Sequence, residues 1–204
     1  MLILIRHGQS TANADGLLVG RLDVSLTDKG RDQAVALAGM LDGVVAVRSS
    51  SLQRARDTAS LAMPGIVSDV DDAFIEQDFG MYDGVRDKDV PAEVWRAFRE
   101  SHDEPFGGGE SLADVDARVH ARLDQWHEDS SSLLHDPHRH VAVVSHVSPI
   151  KSAVAWALGV GGHVAWRLRL DNASVTTISS RSGSPYLLSY NDVSIRRRDQ
   201  SVDR

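Results

Sequence analysis

The stretch Leu2-Ile3-Leu4-Ile5-Arg6-His7-Gly8 decides the fold of this 204-residue chain. Its apolar residues form a short continuous run, which is typical of a strand that is buried on both faces. Residues 44–47 (Val-Val-Ala-Val) and 141–144 (Val-Ala-Val-Val) have the same character. Strands of this kind occur mainly in parallel sheets that helices cover on both sides. These runs therefore predict the centre of one such sheet.

Helical patterns separate the runs. Thr27 is a predicted helix N-cap, apolar residues recur at helical spacing as far as Leu41, and Gly43 ends the helix. A second helix over residues 52–62 stops before Pro64. The N-terminal part of the chain thus alternates strand and helix, which predicts parallel strands joined by right-handed crossovers.

The rest of the chain continues the same architecture. Further helices are predicted over residues 91–99, 111–127 and 149–158, with closing antiparallel strands at 175–178 and 186–188. The fold class is α/β: a three-layer α/β/α sandwich, mostly parallel, with an antiparallel edge. The length indicates one domain, which we place at residues 1–194. A polar tail follows at 195–204, where we expect Arg196-Arg197-Arg198 to be solvated.

Composition excludes several classes of function. The chain has no cysteine, so disulfides, thiolate nucleophiles and cysteine-ligated metal sites are ruled out. A net charge of -7 argues against a general nucleic-acid binder. No stretch resembles a signal peptide or approaches the ~18 apolar residues of a membrane span. We therefore expect a cytoplasmic protein without nucleic-acid or membrane partners.

Charged and imidazole side chains follow the predicted strands. Arg6 and His7 end the first strand, His146 follows the run at 141–144, and Arg54 begins the helix after the run at 44–47. Ligands of open α/β sheets bind beyond the carboxyl ends of the strands. A crevice that gathers two arginines and two histidines needs an anion, and the planar guanidinium group suits phosphate oxygens. The residues therefore predict a phosphate site.

The chain resembles the histidine phosphatase superfamily, also called the phosphoglycerate mutase-like family. The resemblance rests on motifs in the family's order at residues 4–13, 26–34, 50–59, 76–84, 108–112 and 143–146. It implies that His7 attacks phosphorus and becomes a phosphohistidine. It also implies that Arg6, Asn13, Arg54 and His146 hold the phosphoryl oxygens, with no metal ion and no cofactor.

The resemblance further implies that Glu76 protonates the leaving oxygen and then activates water. Asp78 is the alternative acid, because a shifted register would exchange the two carboxylates. Asn13 has a structural alternative too, as the cap of a turn at Asp15-Gly16. Val147 stands where many relatives have Gly, so its backbone amide contact with the substrate is expected to be shaped differently.

The segment at about 77–110 is the predicted specificity cap. It is short and not rich in Lys or Arg, whereas a mutase must retain a bisphosphate. We therefore expect a phosphomonoesterase that acts on a small phosphorylated metabolite, with Tyr82 and Phe106 predicting a partly apolar entrance. A cofactor-dependent phosphoglycerate mutase and a non-catalytic phosphate binder remain the alternatives. Many members of the family are dimers, so a homodimer is one expectation, and the substrate's identity stays open.

Overall fold

The fold is built on a six-stranded sheet. The computed structural model describes residues 1–129, 132–136, 138–180 and 183–193, so the predicted tail at 195–204 lies outside the described residues. The strands are β1 (Leu2–Arg6), β2 (Val44–Ser49), β3 (Ser68–Val70), β4 (His140–Ser145), β5 (Val175–Ser179) and β6 (Tyr186–Asp192). Their order is β3-β2-β4-β1-β5-β6. Strands β1 to β4 pair in parallel, and β5 and β6 add the antiparallel edge.

Helices cover both faces of the sheet. They are α1 (Thr11–Asp15), α2 (Asp28–Ala36), α3 (Gln53–Ala62), α4 (Ala92–Glu100), α5 (Leu112–Glu128) and α6 (Val147–Leu158). Short 3-10 segments join them, among them one at Gly162–Arg167. Within the described ranges, no helix has both the length and the apolarity to cross a bilayer.

The alternation of side chains along β1 creates two cores. Leu2 and Leu4 point to the face that α5 and α6 cover, where Val119 and Ile150 join the same buried cluster. Ile3 and Ile5 point to the opposite face and pack with residues of α3, Ala55 among them, and of the 3-10 segment Leu37–Met40. Both faces of the sheet are therefore buried, as the uninterrupted apolar runs predict.

A third cluster lies in the predicted cap. Phe106 is buried at its centre and contacts the rings of Phe79, Tyr82, Trp95 and Phe98 at centroid distances from 4.8 to 5.6 Å. Aromatic pairs in tilted or edge-to-face geometry stabilise such a cluster beyond their burial alone. Residues 79–112 therefore have a hydrophobic core of their own, into which α4 packs through Trp95 and Phe98.

The predicted α/β architecture with its antiparallel edge is confirmed, and the differences are local. The helix expected to reach Leu41 ends at Ala36 and continues as a 3-10 segment at Leu37–Met40. The helix expected to begin at Pro149 already begins at Val147, because His146 takes the N-cap position. Helix α1 was not expected, since five residues are too few to show a helical period.

Candidate active site

A cavity of about 260 Å³ opens beyond the carboxyl end of β1. Arg6, His7, Arg54 and Glu76 form its polar end. The remaining walls are largely apolar and contain Leu17, Leu18, Val19, Phe79, Trp95, Phe98, Leu112, Ala165 and Trp166. Ligand cavities commonly combine an apolar lining with a few convergent polar groups. The volume suits a small metabolite.

His7 is fixed by its backbone and by one ring nitrogen. Its N–H donates to the Ser145 carbonyl oxygen in β4 (3.0 Å), and its carbonyl accepts from Ala173 (3.0 Å). The ring Nδ1 lies 2.7 Å from the carbonyl oxygen of Gly8. A carbonyl only accepts hydrogen bonds, so Nδ1 carries the ring hydrogen and Nε2 keeps its lone pair. The neutral ring therefore presents a nucleophilic nitrogen to the cavity.

The surroundings of His7 also keep the ring neutral. Burial lowers its pKa well below the ordinary value of 6.5, and the positive charges of Arg54 and Arg6 lower it further. Both effects have the same sign, because low polarity and nearby cations each disfavour imidazolium. A neutral imidazole is the form that can attack an electrophile.

Close backbone packing holds the turn after His7. Gly8 donates its N–H to Thr58 Oγ1 in α3 (3.1 Å), and that hydroxyl donates in turn to the Arg54 carbonyl oxygen (2.7 Å). A Cβ on Gly8 would collide with the carbonyl oxygen of Gly30 in α2. Only glycine allows this approach to α2, and the Thr58 bond ties the turn after the nucleophile to α3, the helix that carries Arg54.

The guanidinium group of Arg54 is held by a neighbouring loop. Arg54 is 1% exposed, and it donates from Nη2 to the Gly20 carbonyl oxygen (2.8 Å) and from Nη1 to that of Leu22 (2.9 Å). Burial lowers its pKa, while the charges of Glu76, Asp23 and Asp83 oppose that effect. Arg6 is held separately, because its Nη1 donates to the Leu170 carbonyl oxygen (2.6 Å).

Asp83 organises the loop that holds Arg54. Its carboxylate accepts the backbone N–H groups of Gly20 (2.9 Å), Arg21 (2.8 Å) and Leu22 (2.8 Å). With those amides fixed, the carbonyls of Gly20 and Leu22 face the guanidinium group. Sequence reasoning missed this role, because a separation of about sixty residues hides it and only the three-dimensional contact reveals it.

His146 lies against His7 and is fully buried. The two ring centroids are 5.0 Å apart, although His146 is not among the residues that line the cavity. Its Nε2 lies 2.6 Å from Ser50 Oγ, and that hydroxyl also accepts the Leu52 N–H (3.4 Å). If the hydroxyl donates to Nε2, the neutral ring carries its hydrogen on Nδ1, a buried atom without a partner among the described residues.

Burial is the main cause that lowers the pKa of His146 well below 6.5, and the charge of Arg54 is the next. His146 therefore stays neutral beside His7 and adds no second positive charge. In the tautomer that accepts from Ser50, its Nδ1–H is a hydrogen-bond donor. Such a donor suits an oxyanion that comes within reach of the His7 ring.

Asn13 both caps a helix and lines the cavity. Its Oδ1 accepts the Ser10 N–H (3.1 Å) while Ser10 Oγ accepts the Asn13 N–H (3.2 Å), a capping box at the start of α1. Asn172 Nδ2 also donates to Asn13 Oδ1 (3.0 Å). These bonds occupy the oxygen and leave the amide nitrogen of Asn13 available. The Asn13 side chain thus caps the start of α1 with Ser10, not the turn at Asp15-Gly16, and this role is compatible with the predicted phosphate contact.

Glu76 lies at the N-terminus of α6 and is 5% exposed. Its Oε2 accepts the Val147 N–H (3.0 Å), and Oε1 accepts those of Ser148 (3.1 Å) and Gln77 (2.9 Å). These bonds fix the carboxyl group at the cavity wall. They also occupy the Val147 amide, so a direct contact of that amide with phosphate stays a prediction.

A charged network holds the segment that follows Glu76. Glu110 accepts hydrogen bonds from Arg21 Nη2 (3.0 Å), Arg118 Nε (3.0 Å) and the Asp78 N–H (3.0 Å). The Arg118 contacts and the Asp78 amide lower the pKa of Glu110 against the effect of burial. Asp78, the alternative acid, is not among the cavity-lining residues and accepts the Gly80 N–H (2.8 Å) instead.

The aromatic wall differs in part from the sequence expectation. Trp95, Phe98 and Trp166 line the cavity, whereas Tyr82 and Phe106 pack within the cap cluster. Trp166 was missed altogether, because a lone Trp in a 3-10 segment carries no periodic signal. Lys151 also lines the cavity. Its position one helical turn beyond Val147 was the available signal.

Comparison with known proteins agrees with the geometry. The family model of the histidine phosphatase superfamily (branch 1) matches residues 2–193. A bifunctional protein of Mycobacterium tuberculosis is 37% identical over 186 residues, with 86% of this chain and 49% of that protein covered. The chain thus spans about half the length of this relative. Phosphoserine phosphatase 1 of Hydrogenobacter thermophilus is 33% identical over 203 residues, with 93% and 91% covered.

Among solved structures, a mycobacterial glucosyl-3-phosphoglycerate phosphatase in complex with VO3 superposes with a TM-score of 0.83. It is 32% identical, and the match covers 93% of this chain and 98% of that one. The similarity therefore extends over nearly the whole of both chains.

Proposed function

Because the chain belongs to the histidine phosphatase superfamily, we propose that it is a phosphomonoesterase that hydrolyses a small phosphorylated metabolite through a phosphohistidine on His7. The observation that carries the proposal is the His7 ring. Its Nδ1 hydrogen is engaged by the Gly8 carbonyl, and its pKa is lowered by burial and by the two arginines. The ring is therefore a neutral nucleophile beside a cationic site for its target.

In the first step, Nε2 of His7 forms a bond to phosphorus while the phosphorus–oxygen bond of the ester breaks. Arg6 and Arg54 stabilise the charge on the phosphoryl oxygens, and Nδ1–H of His146 and the amide of Asn13 add donors. Glu76 transfers its proton to the leaving alcohol. Preorganised donors of this kind commonly supply the largest part of catalysis.

In the second step, Glu76 takes a proton from water, whose oxygen attacks phosphorus as the bond to His7 breaks. Inorganic phosphate leaves, and both residues return to their starting states. Splitting the reaction at a covalent intermediate replaces one difficult displacement by two easier ones. All groups used in both steps are side chains of this chain.

The alternative of a cofactor-dependent phosphoglycerate mutase is less well supported. A mutase must hold a bisphosphate intermediate without losing it to water. The cap contributes Gln77, Phe79, Trp95 and Phe98 to the cavity wall, and none of these is cationic. A non-catalytic phosphate binder would not need the neutral His7 and the fixed carboxyl of Glu76 side by side.

Phosphate release from p-nitrophenyl phosphate and from a panel of phosphorylated metabolites, in the presence of EDTA, tests the proposal. We expect turnover with EDTA and its loss in His7→Ala. His138→Ala, at an exposed histidine outside the cavity, is the matched control. Full activity of His7→Ala overturns the proposal. Isomerisation of 3-phosphoglycerate that depends on 2,3-bisphosphoglycerate and exceeds hydrolysis would establish the mutase.

The single domain at residues 1–194, a cytoplasmic location and a homodimer stay predictions. Limited proteolysis, cell fractionation and sedimentation test them in turn. None of the catalytic steps above depends on their outcome.

A further inference from the structure

Lys151 is a cation that the reaction steps do not use. It lies in α6 and lines the cavity beside the catalytic groups. Its ammonium group makes no hydrogen bond and no salt bridge with any of the described residues. Burial lowers its pKa, while the charge of Glu76 raises it and that of Arg6 lowers it. A partly buried ammonium group without an anion is costly, so such a group gains when a ligand supplies one.

The position of Lys151 indicates which part of a substrate it meets. Lys151 follows Val147 by one helical turn, so the two residues are neighbours on the α6 surface that lines the cavity. The amides of Val147 and Ser148 hold the carboxyl of Glu76. The group that protonates the leaving oxygen and the ammonium of Lys151 are therefore on the same side of the cavity. A leaving group that Glu76 protonates would therefore come close to Lys151.

The charge of an ionised Glu76 offsets part of the Lys151 charge, but not at the moment when the substrate reacts. The proposed first step requires Glu76 to carry a proton, so its carboxyl group is then neutral. The other walls near α6 are apolar, with Leu112, Ala165 and Trp166 among them. An anionic group on the leaving alcohol would supply the counter-charge for the Lys151 ammonium. The apolar walls would strengthen the attraction between the two charges.

We propose that Lys151 is a specificity-determining residue that binds a carboxylate of the leaving group, so that the preferred substrates are phosphate esters of hydroxy acids. This inference rests on the proposed function. A carboxylate suits the site because one oxygen can accept from the ammonium while the apolar walls contact the carbon chain.

Two matched pairs of esters test the inference, since the members of each pair differ by the carboxylate. They are O-phosphoserine against O-phosphoethanolamine, and 3-phosphoglycerate against glycerol 3-phosphate. The readout is the ratio of the two kcat/KM values within each pair. Where an ester is hydrolysed too slowly, its inhibition constant is measured with p-nitrophenyl phosphate as the substrate. We expect the unmodified enzyme to prefer the carboxylate member by roughly 10- to 100-fold, as hydrogen bonds to charged groups allow.

Lys151→Met should bring this ratio close to one, and Lys151→Arg should retain much of it. Lys29→Met, which removes the same charge from an exposed position of α2, should leave the ratio unchanged. An unchanged ratio in Lys151→Met, or an equal loss for both members of a pair, overturns the inference. Absence of phosphate release from every ester, p-nitrophenyl phosphate included, means instead that the proposed function has failed.

Discussion

Replacing Asp83 by Asn should impair catalysis through Arg54, although Asp83 does not touch the substrate. In the native loop, Oδ2 of Asp83 accepts two backbone N–H groups, from Arg21 and Leu22. An amide group in its place has one oxygen, so at least one donor loses its partner or faces an NH2 group. The loop carbonyls that hold Arg54 are then free to shift.

The magnitude follows from the bonds lost. Hydrogen bonds to a charged acceptor contribute about 1.5–3 kcal/mol each, and the lower end applies because this loop is partly exposed. We expect Asp83→Asn to lower the free energy of unfolding by about 2 kcal/mol. A displacement of a positioning group by about 1 Å can cost ~10²-fold in rate, so kcat/KM should fall roughly 10- to 100-fold.

The assay combines p-nitrophenyl phosphate kinetics with inhibition by inorganic phosphate or vanadate. If Asp83 acts by placing Arg54, the inhibition constants rise together with the loss in kcat/KM. In a double-mutant cycle, Asp83→Asn added to Arg54→Ala should cost little more than Arg54→Ala alone, because the two act as a unit. Asp89→Asn, a nearby exposed carboxylate, controls for charge. Additive losses in the cycle would refute the reasoning.

Three further outcomes are expected. Glu76→Gln should lower kcat for alkyl phosphates by about 10²- to 10⁴-fold and by much less for p-nitrophenyl phosphate, whose leaving group needs no proton; equal losses would contradict the acid role. Phe106→Ala should lower the free energy of unfolding by about 3–5 kcal/mol in chemical denaturation, and a loss below 1 kcal/mol would contradict a packed cap core. In the folded protein the pKa values of His7 and His146 are lowered. As pH falls below about 6.5, both histidines therefore bind protons in the unfolded chain before they do so in the folded protein. Stability should therefore decline from pH 6.5 downward, and less steeply in His146→Gln, whereas an identical decline in both would contradict the assigned shifts.

The sheet was predictable because its central strands carry an unbroken local signal. Leu2 to Ile5 can be recognised as a buried strand from four letters, and Thr27 can be recognised as an N-cap that does accept the Gly30 N–H (3.0 Å). Helix α1 and the 3-10 segments have too few residues to show a repeating apolar pattern, so periodicity cannot reveal them. Their positions depend on contacts with distant parts of the chain, such as the pairing of Leu17 with Arg86.

Some residues of the candidate site can likewise be predicted from the sequence, and others cannot. His7, Arg6 and His146 follow strand ends, so the fold itself places them at one edge of the sheet. Asp83 acts across a long separation through backbone amides, which leaves no motif. Lys151 carries no motif signal either, because its place at the cavity depends on how α6 packs beside Glu76.

The covalent intermediate offers the most direct test of the central claim. A labelled phosphate ester is mixed briefly with the enzyme, the reaction is stopped in alkali, and the peptides are mapped by mass. We predict one phosphoryl group, stable in alkali and labile in acid, on the peptide that contains His7, and none in His7→Ala. Trapping on any other residue, or release of labelled phosphate in bursts without a modified His7, would contradict the account.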